Sequence, residues 1–194
     1  MVRMLYPRYG FMAQDIRPWR NMFPQFAEKL RSFGCPFDNL VALVDGHFLG
    51  TCRPGGDACK SLNLWDFQTF AGKERRTGLK YQAAVLVKGI AIVWGPWQGT
   101  EHDATMICSA RLLDHLCEIA DEAGSDYIAF SDSAYLMHCF LQRILKPAPE
   151  ETLSRLERRY NALMARFRIV IEQVFAEASQ FWAALTHSHN MRLG

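Results

Sequence analysis

Val41-Ala-Leu-Val-Asp-Gly-His-Phe48 is the stretch whose reading decides this chain. Four apolar residues run directly into an acid and a glycine. A run of that length bounded by a turn signal reads as a short buried strand, which puts Asp45 at the end of a strand. Ile128-Ala-Phe-Ser-Asp-Ser-Ala-Tyr135 repeats the pattern, with Asp132 just past its apolar run. A third acid, Glu172 in Arg168-Ile-Val-Ile-Glu-Gln-Val-Phe175, falls on a long helical segment. Two strand-end aspartates and a helical glutamate are hard oxygen ligands on a rigid frame. Such a set can hold a pair of divalent metals against a phosphodiester.

Taken singly, each acid has a plainer role. Asp-Gly is a common turn pair, so Asp45 suits a hairpin between strands 41–45 and 48–52. Asp132 suits a helix N-cap. Glu172 suits a solvated i,i+4 pair with Arg168, a weak surface interaction. Asp103, in Glu101-His-Asp-Ala104, is an N-cap candidate for the next helix. The adjacent His102 is a candidate general base.

The surrounding segments are read from periodicity and punctuation. Phe26, Leu30 and Phe33 share one side of a helix from Pro24, ended by Gly34-Cys-Pro36. Leu79–Val87 and Ile90–Trp94 around Lys88-Gly89 form a hairpin. Ile107, Ala110, Leu113, Leu116 and Ile119 predict one helix over 104–122, ended by Gly124. A strand over 126–130 and a short helix over 136–145 follow. Finally, a long helix over 150–185 carries a seam of Leu153, Leu156, Tyr160, Leu163, Phe167, Val170, Val174 and Phe181. Glu172 lies off that seam, on a strip with Asn161, Ala165 and Arg168. This order predicts an α/β protein with a mixed sheet flanked by helices and a long C-terminal helix.

The bulk numbers are those of a globular chain. It has 194 residues, 49% of them hydrophobic and 22% charged, with a formal net charge of +2. That charge neither requires nor excludes a nucleic-acid partner. The six cysteines form no C-x-x-C pair. They read as reduced thiols of an intracellular protein, several of them facing the core. The N-terminus has no apolar stretch typical of a secretory signal.

The order of motifs resembles the catalytic domain of PIF/Harbinger-type DDE transposases, within the DDE superfamily endonucleases. Gly34-Cys-Pro36 is similar to the family's Gly-x-Pro, and Val44-Asp-Gly-His47 with Cys52-Arg-Pro54 to its Asp-Gly-Thr and Arg-Pro. Phe70-Ala-Gly72 with Leu79-Lys-Tyr-Gln82, and Gly95-Pro96 with Gly99-Thr-Glu-His-Asp103, resemble the next two. Asp132-Ser-Ala-Tyr135 resembles Asp-x-x-Tyr, and Tyr160-Asn161 with Arg168, Glu172 and Phe175 the last motif. No single match is specific; the order carries the resemblance.

The resemblance implies an RNase H-like domain over 26–185, truncated at both ends, between an irregular segment 1–25 and a tail 186–194. It implies Asp45, Asp132 and Glu172 as catalytic metal ligands for two Mg²⁺ or Mn²⁺ ions. Asp103, His102, Arg168 and Asn161 become auxiliary candidates, and Lys73, Arg75, Arg76 and Lys80 candidate DNA phosphate contacts. It also implies DNA as substrate, a nuclear location, and a separate protein supplying target recognition. Three local departures stand out: Thr77 where histidine is common, Ala165 where a small hydroxyl residue is frequent, and Leu136 where proline is common. With the missing ends they suggest a decaying or adopted copy, whose alternative role is that of an inactive remnant or binding module. A phosphohydrolase of small substrates is disfavoured, because no glycine-rich phosphate loop is present.

Overall fold

A computed structural model describes residues 14–51, 70–71, 76–86, 91–135, 138–147 and 152–181. A 3-10 helix, Arg17–Met22, leads into α1 (Phe23–Ser32). Then come β1 (Leu40–Gly50), β2 (Phe70–Ala71), β3 (Arg76–Leu86) and β4 (Ala91–Gln98). They are followed by α2 (Asp103–Ser109), α3 (Leu112–Ala123), β5 (Ile128–Ser131), β6 (Leu141–Arg143) and α4 (Arg155–Phe181).

The strands form one mixed sheet in the order β2-β3-β1-β5-β6, with β4 also paired to β3. β1 is central. It runs antiparallel to β3 on one side and parallel to β5 on the other. The α/β class and the long final helix agree with the sequence reading. The predicted hairpin is present as β3 and β4, paired from Leu79↔Gln98 to Val85↔Ala91; its turn lies outside the described residues.

Successive side chains of β1 point to opposite faces of the sheet. Ala42 and Val44 join the core under α1, α2 and α3, with Phe23, Phe26, Leu116 and Ile119. Leu43 joins the core under α4, with Met164, Phe167 and Ile171. Burying one Leu or Val side chain in this way stabilises the fold by about 1.5–3 kcal/mol.

Four sequence expectations need correcting. Strands 41–45 and 48–52 are a single strand, because Gly46 and His47 pair with Gln82 and Tyr81 instead of turning. The helix over 104–122 is two helices, broken where Arg111 adopts φ 55°. The region given to a short helix contains β6, a strand parallel to β5. The seam of α4 is rotated from its expected line: Met164, Phe167 and Ile171 are buried, whereas Leu156 is 78% exposed and Val170 42%. Of the four described cysteines only Cys35 is buried; Cys108, Cys117 and Cys139 are exposed.

The helix ends are explicable locally. After α1, the Gly34 N–H donates to the Arg31 carbonyl and the Cys35 N–H to that of Leu30, with Gly34 at φ 88°. This is a Schellman ending, which a side chain with a Cβ would strain. At the start of α4, Ser154 and Glu157 form a capping box. The Glu157 N–H donates to Ser154 Oγ at 3.2 Å, and the Ser154 N–H donates to Glu157 Oε2 at 2.7 Å. Arg155, Arg158 and Arg159 follow in the first turns. Cations there oppose the helix dipole at about 0.3–1 kcal/mol each.

Candidate carboxylate site

Asp45 occupies the middle of β1, opposite Ala83 of β3, and not a strand end. It shares strand parity with Leu43 and so points toward α4. Its side chain is 19% exposed. Oδ1 accepts the Gly46 N–H at 2.9 Å. Oδ2 stands 3.5 Å from Arg168 Nη2 on α4. Burial pushes its carboxyl above the usual aspartate range. The Gly46 bond and the Arg168 charge pull the other way, Asp132 adds to the rise, and the net direction is up.

The same Arg168 nitrogen lies 3.6 Å from Glu172 Oε1, one helical turn further along. One guanidinium therefore touches carboxylates from two distant parts of the chain. Its Nε is buried and has no hydrogen-bond partner among the described residues. Asp132 directly follows β5, as expected. Its Oδ1 accepts the Ala134 N–H at 2.7 Å, which closes a tight turn. Arg143 of β6 donates to the carbonyls of Ser133 (3.1 Å) and Tyr135 (2.9 Å) and holds that turn to the sheet.

Tyr135 closes the other side. Its hydroxyl accepts Gln82 Nε2 at 3.0 Å and the side chain is buried. Burial, aided by the charges of Asp103, Asp45 and Asp132, raises the phenol well above its ordinary range, so it stays protonated at neutral pH. Gln82 and Tyr135 belong to the Leu79-Lys-Tyr-Gln82 and Asp132-Ser-Ala-Tyr135 motifs, yet nothing in their spacing marks them as partners.

The auxiliary candidates divide. Asp103 is the first residue of α2 and lies at the far face of β1: a Cβ on Gly46 would stand 3.3 Å from its Oδ1. The N-cap position falls to His102, which is exposed and makes no side-chain cap bond. Lys80 donates to the Glu101 carbonyl at 2.6 Å and pairs with Asp103 at 3.4 Å. The Asn161 amide is engaged with the backbone of Leu145, accepting its N–H and donating to its carbonyl at 2.9 Å each. Lys73 and Arg75 lie outside the described residues, as does the side chain of Arg76.

His47 is a neighbour that the sequence reading passed over. It shares the Asp45 face of β1 and stacks on Phe175, ring centroids 4.6 Å apart and planes at 18°. Phe175 follows Glu172 by three residues, so the stack pins α4 to β1 beside the two acids. Burial lowers the His47 pKa.

The donor chemistry suits a hard divalent ion, since the groups facing this space are carboxylate oxygens and a cation already stands between two of them. The grouping is incomplete, however. Among the described residues, no three His, Cys, Asp or Glu side chains stand together as a formed metal site. Asp45 is the shared member, coupled to Glu172 through Arg168 and to Asp132 through charge.

A family model described as DDE superfamily endonuclease matches residues 57–193. The matched range includes Asp132 and Glu172 and begins downstream of Asp45. No curated protein and no solved structure matches the chain.

Proposed function

The chain belongs to the DDE superfamily endonuclease family, and from that membership we propose a metal-dependent enzyme of transposase type that cleaves or joins DNA phosphodiesters. The observation that carries this reading is the link between two acids from distant segments, Asp45 and Glu172, with a third, Asp132, felt by Asp45 as charge. A single Arg168 nitrogen spans Asp45 and Glu172, while Asp132 acts electrostatically on Asp45. The finer type is PIF/Harbinger-like, on the order of motifs. An RNase H-like fold agrees with a central β1 carrying Asp45, a parallel β5 leading to Asp132, and a last helix carrying Glu172.

Asp45, Asp132 and Glu172 would hold two Mg²⁺ or Mn²⁺ ions. Such ions, when bound, activate a water or a DNA 3′-hydroxyl and offset the charge that develops on the phosphate. Asp45 gains from a cation, because burial already disfavours its bare charge. Arg168 balances Asp45 and Glu172 in the free protein and supplies a charged donor for a phosphate oxygen. Tyr135, kept neutral, retains its hydroxyl proton. DNA is the substrate, the nucleus the location, and target recognition comes from a separate DNA-binding protein.

One observation favours a second reading, a catalytically silent transposase remnant or binding module. Arg168 already supplies a positive charge to both Asp45 and Glu172. Calorimetric titration with Mn²⁺ separates the two. The active reading expects saturable binding that Asp132→Asn and Asp45→Asn each abolish, with nicking of supercoiled plasmid lost in parallel. A folded chain that takes up no Mn²⁺ and nicks nothing leaves the second reading.

A further inference from the structure

The outward face of α4 carries cations that the carboxylate site does not use. Arg155, Arg158, Arg159 and Arg166 are all exposed, and none forms an ion pair among the described residues. At 3.6 residues per turn, Arg155, Arg159 and Arg166 fall within about 40° of one another around the axis. Arg158 stands on the flank nearer Glu172. The row runs about 16 Å along the helix.

This arrangement works against the helix that carries it. Arg155, Arg158 and Arg159 sit at the positive end of the dipole, and Arg155 repels Arg158 and Arg159 at i,i+3 and i,i+4 spacing. The one acid of the first turn, Glu157, is engaged in the capping box with Ser154. Among the described residues no carboxylate therefore neutralises the row, and charge complementarity asks for a polyanion from outside.

We propose that the outer face of the first half of α4 is a docking surface for the phosphate backbone of duplex DNA, separate from the Asp45–Glu172 face. Duplex DNA offers one negative charge per about 1.7 Å of axis, dense enough to meet every arginine of the row. The proposal rests on the nuclease reading only in naming DNA as the polyanion. It makes no use of metal.

The test is binding of a fluorescein-labelled duplex by the full chain in EDTA, followed by anisotropy over a salt series. The variant is R155Q/R158Q/R159Q/R166Q. Affinity falls by about tenfold or more near 0.1 M salt, and the slope of log K against log salt drops by about 0.9 per lost contact. R155Q/R159Q loses affinity where the charge-matched K29Q/R31Q, on exposed residues of α1, does not. Thermal melts check folding: relieving the dipole and the repulsion leaves Tm unchanged or raises it. The proposal is overturned by an unchanged salt slope in the fourfold variant, by equal losses in the two double variants, or by no binding from the wild type. It is equally overturned if the variant changes only self-association, since exposed Leu156 and Ile169 would then mark a face for a second copy. Wild-type protein that binds DNA with this arginine dependence but shows no Mn²⁺-dependent nicking would instead count against the nuclease reading alone.

Discussion

The two halves of β1 are made of different materials. Leu40 to Val44 are buried without exception, and Asp45 to Phe48 are half-buried. The first half contributes to the apolar cores on the two faces of the sheet. The second keeps the same backbone ladder to β3 but presents a carboxylate and an imidazole to α4. Rigidity comes from the apolar half, and the polar half uses it to aim side chains at a stability cost.

The substitutions that test this contrast fall in order of size. Leu43→Ala should cost about 2–5 kcal/mol by urea unfolding, as expected for a buried leucine in a packed core. A cost near zero would mean that the first half is not the anchor. Asp45→Asn should do the reverse, raising stability by about 0.5–1 kcal/mol in metal-free buffer while removing Mn²⁺ uptake. A destabilised Asp45→Asn protein would mean that the Arg168 pair outweighs the burial of the charge.

A third test uses pH. His47 on β1 and His115 on α3 both have pKa values lowered by burial. The unfolded chain therefore binds more protons at these sites, so their contribution is full above the ordinary histidine value and is lost as pH falls below it. That ordinary value is 6.5. Asp45, with its pKa raised, acts in the opposite sense above 3.8. Unfolding measured stepwise from pH 7 to pH 5 should show falling stability, and His47→Phe should flatten part of the fall. The smallest effect belongs to the ring stack. His47→Ala should lose about 0.5 kcal/mol, the low end for an aromatic pair, and weaken Mn²⁺ uptake, and His47→Phe should restore the stability. Equal behaviour of the two variants would show that the stack does not hold α4 in place.

What the sequence made legible follows from how local each signal is. α1 was readable because Phe26 and Leu30 share a face and Gly34 ends the helix within one turn. Asp132 was placed correctly because its strand is a bare apolar run. Gly46-His47 misled because an Asp-Gly turn is a local preference, whereas the pairing with Gln82 and Tyr81 is a tertiary one that overrides it. The break at Arg111 was invisible: Ile107, Leu116 and Ile119 keep helical spacing across a backbone that changes course. Among the described residues β6 pairs in the sheet only with β5, and no local pattern announces that. The start of α4 could have been read from Ser154-Arg-Leu-Glu157, which is a capping-box spelling. At the site, the Arg168–Glu172 pair was legible from i,i+4 spacing, but the reach of Arg168 to Asp45 required the fold.

The strand order also dictates when this site can exist during synthesis. β1, β3 and β4 form the antiparallel side of the sheet and leave the ribosome first. The other edge of β1 then carries open backbone donors and acceptors until Ile128–Ser131 arrives to pair with it. Asp45 belongs to this early half, Asp132 and Glu172 to the late one. The nascent chain thus passes through an interval with an open strand edge and no assembled acids; β5 ends the first condition, and α4 ends the second later by covering the sheet and bringing Glu172 with it.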